Sequence, residues 1–384
     1  TLAQDGADAY TATLRQTPGS QGQIATLIMG ADAAWGESQG PVAPNALPQR
    51  SKIASDVIDA IASKIEAGGK VALLLEHHGV SPEALANASK ISAKTGCRLF
   101  TGTFPARVDG GPGNPEVERL PYFPEQVLQT LTGLDHLVLV GGEPPASFFA
   151  YRGIPGQLIP EGCNVSRLTQ NEEDAVDALS RLAERLGATA ETVKTFERRV
   201  TPRPTGALDT KSIIQAVAAT MPTGLIVATD SGGGNAAHAY CQNSESNSWL
   251  SLTGGAIGQG GPVATGAALA CPDRPVLAML GDGGAAYTNQ SFWTQARENL
   301  NVTTLIFANH SYNILDVEYA RLGVKEVGEI AASLFDIGNP ELDWVAMAKG
   351  FGVKGTHAKD AEDLCRLLEE SYKTPGPFVI QARA

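Results

Sequence analysis

From residue 50 onwards, short apolar runs alternate with longer segments whose apolar positions recur with a helical period. Short apolar runs are typical of buried strands, and the periodic segments are typical of helices that pack on a sheet. In the first half, this pattern predicts strands at Val71–Leu75, Arg98–Phe100 and His136–Val140, and helices at Ser51–Ala67, Pro82–Thr95 and Glu172–Leu186. The alternation predicts a doubly wound parallel α/β sheet over residues 50–188, which is a central Rossmann-like domain.

The second half repeats this alternation after a charged, proline-containing segment at 189–209, which we interpret as a linker. The apolar runs predict strands at Leu225–Ala228, Val276–Leu280, Thr303–Ala308 and Phe378–Ile380. A helix is expected to run from Gly283 towards Asn299. Residues 210–384 are therefore predicted to form a second α/β domain with a parallel sheet.

The first 45 residues follow a different pattern. A polar helix is predicted from Ala3 to Arg15 and a strand at Ile24–Met29, before a proline-bearing linker from Pro41 to Pro48. One helix and one strand cannot bury their own apolar faces, so we expect residues 1–45 to belong to a larger sheet.

Composition and charge limit the kinds of partner and cellular location that we expect for the chain. Of the 384 residues, 43% are hydrophobic, which is sufficient for two or three domains with sizeable cores. The formal net charge of −12 argues against a nucleic-acid partner and against binding to anionic membranes, because both need basic patches. No apolar run approaches the length of a membrane span. The five scattered cysteines contain no CxxC pair, which favours reduced thiols and a cytoplasmic location.

The candidate chemistry lies where two predicted strands end. Gly281-Asp282-Gly283 follows the Val276 strand, and Asn309 follows the Thr303 strand, 27 residues after Asp282. This spacing allows one crossover between neighbouring parallel strands, whose carboxyl ends meet at one sheet edge. A carboxylate, an amide oxygen and nearby carbonyls suit magnesium or calcium. Alternatively, Asp282 is a helix N-cap and Asn309 a simple turn residue.

This arrangement resembles the diphosphate-binding motif of thiamine diphosphate (ThDP) enzymes, in which Gly-Asp-Gly precedes an Asn by a similar distance. Three further segments occur in the order typical of that family, namely Gly254–Pro262, Ser291–Ala296 and Asn309–Leu315. The resemblance is strongest to the benzoylformate decarboxylase and acetolactate synthase-like branch. It implies a ThDP diphosphate-binding domain over residues 210–384 and an enzyme that decarboxylates a 2-oxo acid, ligates the acyl anion to a second carbonyl, or does both.

The resemblance also implies the site residues. Asp282, Asn309 and the Ser311 carbonyl would hold magnesium. Ile257 would support the two rings of ThDP, and the Gly255 carbonyl would accept a hydrogen bond from the 4′-amino group. An ordinary core position is the alternative for Ile257. The remaining implied cofactor-binding residues are Ser231, Gly232, Gly233, Ala256, Gly283, Gly284, Tyr312, Asn313 and Ile314.

The sequence departs from the family pattern in the phosphate-binding loops. Gly232 and Gly233, in the predicted loop 230–235, and Gly284, after the Gly-Asp-Gly motif, stand where the family usually has hydroxyl residues. Backbone N–H groups alone can bind a phosphate, especially at the start of a helix. We nevertheless expect the loss of these donors to weaken cofactor binding.

By resemblance, residues 1–45 are the end of a pyrimidine-binding domain, and the glutamate that activates the cofactor would precede residue 1. No catalytic residue is therefore assigned within the chain, and slow turnover is expected from it alone. Active sites of this family lie between two subunits, which implies a homodimer or a homotetramer. The subunit face is expected to be lined by Gly254–Gly261, Asp230–Asn235 and Ile257, and Trp293 and Tyr312 are candidates for packing beneath it. A non-catalytic binding or assembly protein on the same fold is the alternative.

Overall fold

The computed structural model describes residues 1–14, 24–46, 49–189 and 191–383. These form two compact units. The first comprises Thr1–Thr103 and Pro115–Lys194, and the second comprises Phe104–Asn114 and Thr195–Ala384. Both are α/β, which confirms the predicted fold class. The described helices include none that is long and apolar enough to cross a membrane.

The twelve strands, in chain order, are β1 (Val71–Leu75), β2 (Arg98–Thr101), β3 (Val108–Gly110), β4 (Glu118–Arg119), β5 (His136–Val140), β6 (Asn164–Thr169), β7 (Leu225–Thr229), β8 (Asn247–Leu250), β9 (Val276–Gly281), β10 (Val302–Ala308), β11 (Lys354–Ala358) and β12 (Phe378–Arg383) within the described ranges.

The α-helices found in the same ranges are α1 (Leu2–Leu14), α2 (Ala31–Trp35), α3 (Ser55–Glu66), α4 (Pro82–Thr95), α5 (Pro124–Leu131), α6 (Ala175–Arg185), α7 (Thr210–Thr220), α8 (Gly232–Cys241), α9 (Gly260–Ala270), α10 (Asp282–Tyr287), α11 (Ser291–Arg297), α12 (Asn313–Arg321), α13 (Glu329–Phe335), α14 (Trp344–Gly350) and α15 (Ala361–Lys373). A short 3₁₀ helix spans His77–Val80.

The first unit contains a parallel sheet with the strand order β4-β2-β1-β5-β6. Side chains of β1 alternate between its two faces: Leu73 and Leu75 pack with helices α3, α4 and α6, whereas Ala72 and Leu74 pack with α5. Because both faces are covered by helices, every residue of β1 is buried, as the continuous apolar run predicts.

A buried carboxyl group that the sequence did not reveal lies at the carboxyl edge of this sheet. Glu76 follows β1, and its carboxylate lies against the backbone of Gly102 and Gly142, so that a Cβ at either glycine would overlap it. Burial raises the pKa of Glu76 to about 7, because the charged form is poorly solvated there.

The second unit contains a sheet with the strand order β11-β12-β10-β9-β7-β8-β3. Its strands are parallel except for β3, which pairs antiparallel with β8. One face is covered by α7, α8 and α15, and the other by α9, α11 and α14. The helices on both faces leave the carboxyl ends of β7, β9 and β10 at one edge, where the candidate site residues lie.

Several predictions from the sequence are wrong, and one of them is the helix Glu172–Leu186, which begins only at Ala175. No strand forms at Ile24–Met29, where Ile24 and Ile28 are 97% and 91% exposed, because no neighbouring strand pairs with this segment. The predicted helix Ser51–Ala67 begins only at Ser55. The helix expected from Gly283 towards Asn299 is divided into α10 and α11 by a break at Thr288.

Two predicted boundaries cannot be compared with the structure. Arg15, the end of the first predicted helix, and Pro48, the end of the predicted linker, lie outside the described residues. The assignment of residues 1–45 to a pyrimidine-binding domain and of 189–209 to a linker stays a prediction. All five cysteines lie within the described ranges, and none of them forms a disulfide.

Candidate functional site

The register of the second sheet places three polar residues next to each other at its carboxyl edge. Thr229 in β7 pairs with Met279 in β9, and Gly281 in β9 pairs with Phe307 in β10. Asp230, Asp282 and Asn309 come directly after these three strands. The sequence prediction that Asp282 and Asn309 follow neighbouring parallel strands is confirmed.

Asp282 is a buried carboxylate that is bound by backbone. Asp282 is only 2% exposed. Its Oδ2 accepts the N–H of His310 at 2.7 Å, and its Oδ1 accepts the N–H of Gly283 at 2.9 Å. Burial raises the pKa of Asp282, and these N–H groups partly oppose that effect. Asp282 is the first residue of α10, and Gly281 is the N-cap, so the N-cap alternative does not describe it.

Asn309 forms a local turn beside this carboxylate. Its Oδ1 accepts the N–H of Ser311 at 3.1 Å, and His310 between them adopts a left-handed conformation with φ of 56°. This geometry turns the His310 N–H towards Asp282. Asn309 is therefore a turn residue, which is the alternative given in the sequence analysis. Through the His310 N–H, the same turn also connects the end of β10 with the end of β9.

Ser311 and Tyr312 continue from this turn. Ser311 forms an isolated antiparallel bridge with Asp336, and the Tyr312 N–H donates to the Phe335 carbonyl at 2.9 Å. A Cβ at Gly283 would lie 2.6 Å from the Tyr312 ring, so this ring covers the second glycine of the motif. Asn313 and Ile314 lie at the start of α12 and are exposed.

The donor atoms at these strand ends fit a hard divalent cation. Within the residues that the structure describes, no cluster of three or more His, Cys, Asp and Glu side chains could bind a metal. Any ion here would instead use one carboxylate with amide and carbonyl oxygens, a set that magnesium accepts. The Asp282 carboxylate is buried with backbone N–H partners, and a cation would compensate its charge.

The glycine-rich segment before α9 presents Ile257 to solvent. Ile257 is 50% exposed, which excludes the alternative that it is an ordinary core residue. Its N–H donates to the Gly255 carbonyl at 2.9 Å, and the Ala256 N–H donates to the Thr253 carbonyl at 3.2 Å. The segment is thus a tight turn that projects an apolar side chain.

The residues after β7 differ from the predicted loop 230–235. Gly232 begins α8, and Ser231 is its N-cap, whose side chain accepts the Gly234 N–H at 3.0 Å. Serine is a favoured N-cap, which explains why a glycine run begins a helix here. Ser231 also donates to the Met279 carbonyl at 3.4 Å.

The glycines for which the sequence predicts contacts with phosphate have different environments. A Cβ at Gly234 would lie 1.7 Å from Thr229 Oγ1, and one at Gly233 would lie 3.1 Å from the Phe307 ring. A Cβ at Gly232 would meet nothing within 4 Å. A Cβ at Gly284 would lie 3.2 Å from Asp230 Oδ1, so this glycine leaves room for a buried carboxylate.

Asp230 is the residue that the sequence analysis did not assign to the site. It is 9% exposed, and its Oδ2 accepts the N–H groups of Gly258 at 2.9 Å and Gly260 at 3.1 Å. The available signal was its position directly after a buried strand, which is the same as that of Asp282.

Comparison with known proteins identifies the family of the chain. Residues 230–382 match the family model of the C-terminal TPP-binding domain of thiamine pyrophosphate enzymes. The chain is 39% identical over 381 residues to the Mycobacterium tuberculosis H37Rv protein named "Putative acetolactate synthase large subunit IlvX". The match covers 98% of this chain and 73% of IlvX. It is 29% identical over 313 residues to benzoylformate decarboxylase of Pseudomonas aeruginosa, covering 77% of this chain and 54% of that enzyme.

A solved structure shows the same fold. The ThDP-dependent 4-hydroxybenzoylformate decarboxylase of Rhodococcus jostii RHA1 matches with a TM-score of 0.72 at 22% identity, over 88% of this chain and 66% of that one. The chain therefore spans only part of the length of each of these proteins. The strand-end motif, the family model and the extended match to IlvX together show that the chain belongs to the thiamine diphosphate-dependent enzyme family, with relatives named acetolactate synthase and benzoylformate decarboxylase.

Proposed function

We propose that the second unit binds ThDP with magnesium, and that the whole protein decarboxylates a 2-oxo acid, ligates the acyl anion to a second carbonyl, or does both. The observation that carries this proposal is the hydrogen bond from the His310 N–H to Asp282 Oδ2. It holds the carboxylate and the Asn309 turn together at adjacent strand ends. The names of the relatives support a 2-oxo acid as the substrate class.

In this proposal, the ion is held by the Asp282 carboxylate, the Asn309 side-chain oxygen and the Ser311 carbonyl. The diphosphate binds near Gly283 and Gly284, at the start of α10. ThDP, when bound, supplies the electron sink for breaking the bond to the carboxylate of the substrate. The protein holds the charges in place and excludes water from them.

Two further groups of residues take part in the proposed site. Ser231, Gly232 and Gly233, at the start of α8, contribute backbone N–H groups towards phosphate. Gly255, Ala256 and Ile257 form the turn that supports the rings of the cofactor. On the other side, Tyr312, Asn313 and Ile314 lie where the polypeptide enters α12, and we assign them to the cofactor and substrate side of the site.

We also propose that the working protein is a cytoplasmic homodimer or homotetramer. Ile257 and Tyr287 are 50% and 60% exposed, and the two segments are in contact because a Cβ at Gly258 would lie 2.7 Å from Tyr287 Cβ. Trp293 is 51% exposed and therefore belongs to the exposed apolar surface of the chain instead of packing beneath the predicted subunit face. Apolar surface of this kind usually marks a partner site.

Replacing Asp282 by Ala is expected to abolish magnesium-dependent ThDP binding, because it removes the only carboxylate in the proposed ligand set. Isothermal calorimetry of the wild-type chain should give ThDP binding that requires a divalent ion, and the variant should bind at least about a hundredfold more weakly. Asp273→Ala, at an exposed position of the same unit, is the matched control. Metal-independent binding of equal strength in both proteins would contradict the proposal.

Gly232→Ser is expected to strengthen ThDP binding, because it restores a hydroxyl donor where a side chain has open space. One new hydrogen bond to a phosphate corresponds to about 1 kcal/mol, or roughly a fivefold lower Kd at fixed magnesium. Gly234→Ser is the matched control, since its Cβ would overlap Thr229 Oγ1, and it should weaken binding and lower the melting temperature. Equal affinities for wild type and Gly232→Ser would show that no phosphate lies within reach of residue 232.

The assembly is tested by sedimentation velocity at micromolar concentration. We expect a mass of two or four times the 40.0 kDa chain, and dissociation in Tyr287→Glu, which places a charge in the exposed apolar surface. Val200→Glu, at another exposed apolar residue, should keep the assembly of the wild type. A stable wild-type monomer would exclude self-association of the chain.

A further inference from the structure

Asp230 is a buried carboxylate that the proposed metal and diphosphate contacts do not use. Oδ2 accepts two backbone N–H groups, whereas Oδ1 is buried without a hydrogen-bond partner among the described residues. Burial raises the pKa of Asp230, and the N–H groups of Gly260 and Gly258 partly oppose that effect. A buried carboxylate of this kind destabilises the fold unless its contacts compensate, so its role needs an explanation.

Asp230 Oδ2 accepts the N–H groups of Gly258 and Gly260. Gly258 directly follows Ile257 in the chain. Gly258 is also held from its other side, because its carbonyl accepts a hydrogen bond from Thr288 Oγ1 at 2.5 Å. Asp230 follows β7, and Thr288 is the C-cap of α10, the helix that begins with Asp282. The segment around Gly258 is therefore held by residues that follow β7 and α10, two elements of the proposed metal and diphosphate site.

The backbone at Gly258 leaves little freedom to this segment. Its φ is 94°, a conformation that favours glycine, and a Cβ there would lie 2.7 Å from Tyr287 Cβ. Hydrogen bonds hold both the N–H and the carbonyl of Gly258, and they restrict the position of the preceding residue, Ile257.

We propose that Asp230, with Thr288 as its counterpart, is a positioning residue that holds Ile257 at a fixed place relative to Asp282. This inference rests on the proposed function, in which Ile257 supports the rings of ThDP. Asp230 acts through the backbone of Gly258 and Gly260, so its loss should change the ring geometry of the cofactor more than the affinity for its diphosphate.

A carboxylate suits this task better than a neutral side chain. A single oxygen accepts two N–H donors, and a charged acceptor forms the stronger hydrogen bonds. Asparagine has the same shape and keeps one oxygen for these donors, so Asp230→Asn should retain much of the effect. Alanine removes the acceptor entirely, and Thr288→Val removes the second anchor while conserving shape.

The first measurement is hydrogen exchange of the cofactor-free chain, followed by mass spectrometry of peptides that cover residues 254–262. Asp230→Ala and Thr288→Val should exchange at least about tenfold faster there than wild type, which corresponds to about 1.4 kcal/mol of lost protection. Asp230→Asn should be intermediate, and Asp273→Ala should match wild type. Unchanged exchange in Asp230→Ala and Thr288→Val would overturn the proposed anchoring, whatever the cofactor does.

The second measurement separates positioning from general stability. In the presence of magnesium, Asp230→Ala should bind ThDP within about threefold of wild type, yet lose the near-ultraviolet circular dichroism signal of the bound rings, and Asp230→Asn should restore that signal. Normal binding with an unchanged signal in Asp230→Ala would overturn this inference alone. Absence of ThDP binding by the wild-type chain would instead overturn the proposed function, and the inference with it.

Discussion

The candidate site depends on one interaction, the hydrogen bond between the Asp282 carboxylate and the His310 N–H at the ends of β9 and β10. A carboxylate that is 2% exposed needs strong donors, and backbone N–H groups supply them without adding a competing positive side chain. The left-handed conformation of His310 is what turns its N–H towards Asp282. This hydrogen bond joins the turn at Asn309 directly to the Asp282 carboxylate, in addition to the pairing of β9 with β10.

The parallel sheet makes this interaction possible. The strands β7, β9 and β10 are parallel neighbours, so their carboxyl ends lie at the same edge of the sheet. The residues that directly follow these strands therefore lie at that edge. Helices cover both faces, so the edge is where polar groups can approach a ligand. Asp230 also lies at this edge, and its carboxylate connects the end of β7 to Gly258 and Gly260 of the glycine-rich segment.

Much of this arrangement could be predicted from the sequence, because it depends on local patterns. The buried runs at Val276 and Thr303 predict strands by their apolar character, and the positions of Asp282 and Asn309 at their ends follow directly. The crossover length then predicts that these strands are neighbours. The family resemblance added the roles of the residues, which remain a proposal.

The features that could not be predicted depend on contacts between distant residues. The hydrogen bonds of Asp230 reach 28 and 30 residues along the chain, and no local pattern encodes them. Similarly, the surroundings of the Glu76 carboxylate include Gly102 and Gly142, which lie after two other strands and are distant from it in the sequence. The apolar run at Ile24–Met29 has a strand-like composition, yet a strand also needs a partner, which the described residues do not provide.

The most direct test of this account is a crystal structure of the chain grown with ThDP and manganese, an ion that accepts the ligands of magnesium and scatters anomalously. The account predicts one strong anomalous peak within coordination distance of the Asp282 carboxylate and the Asn309 side-chain oxygen, with diphosphate density beside the start of α10. An anomalous peak at another place, or ThDP density away from the ends of β9 and β10, would contradict it.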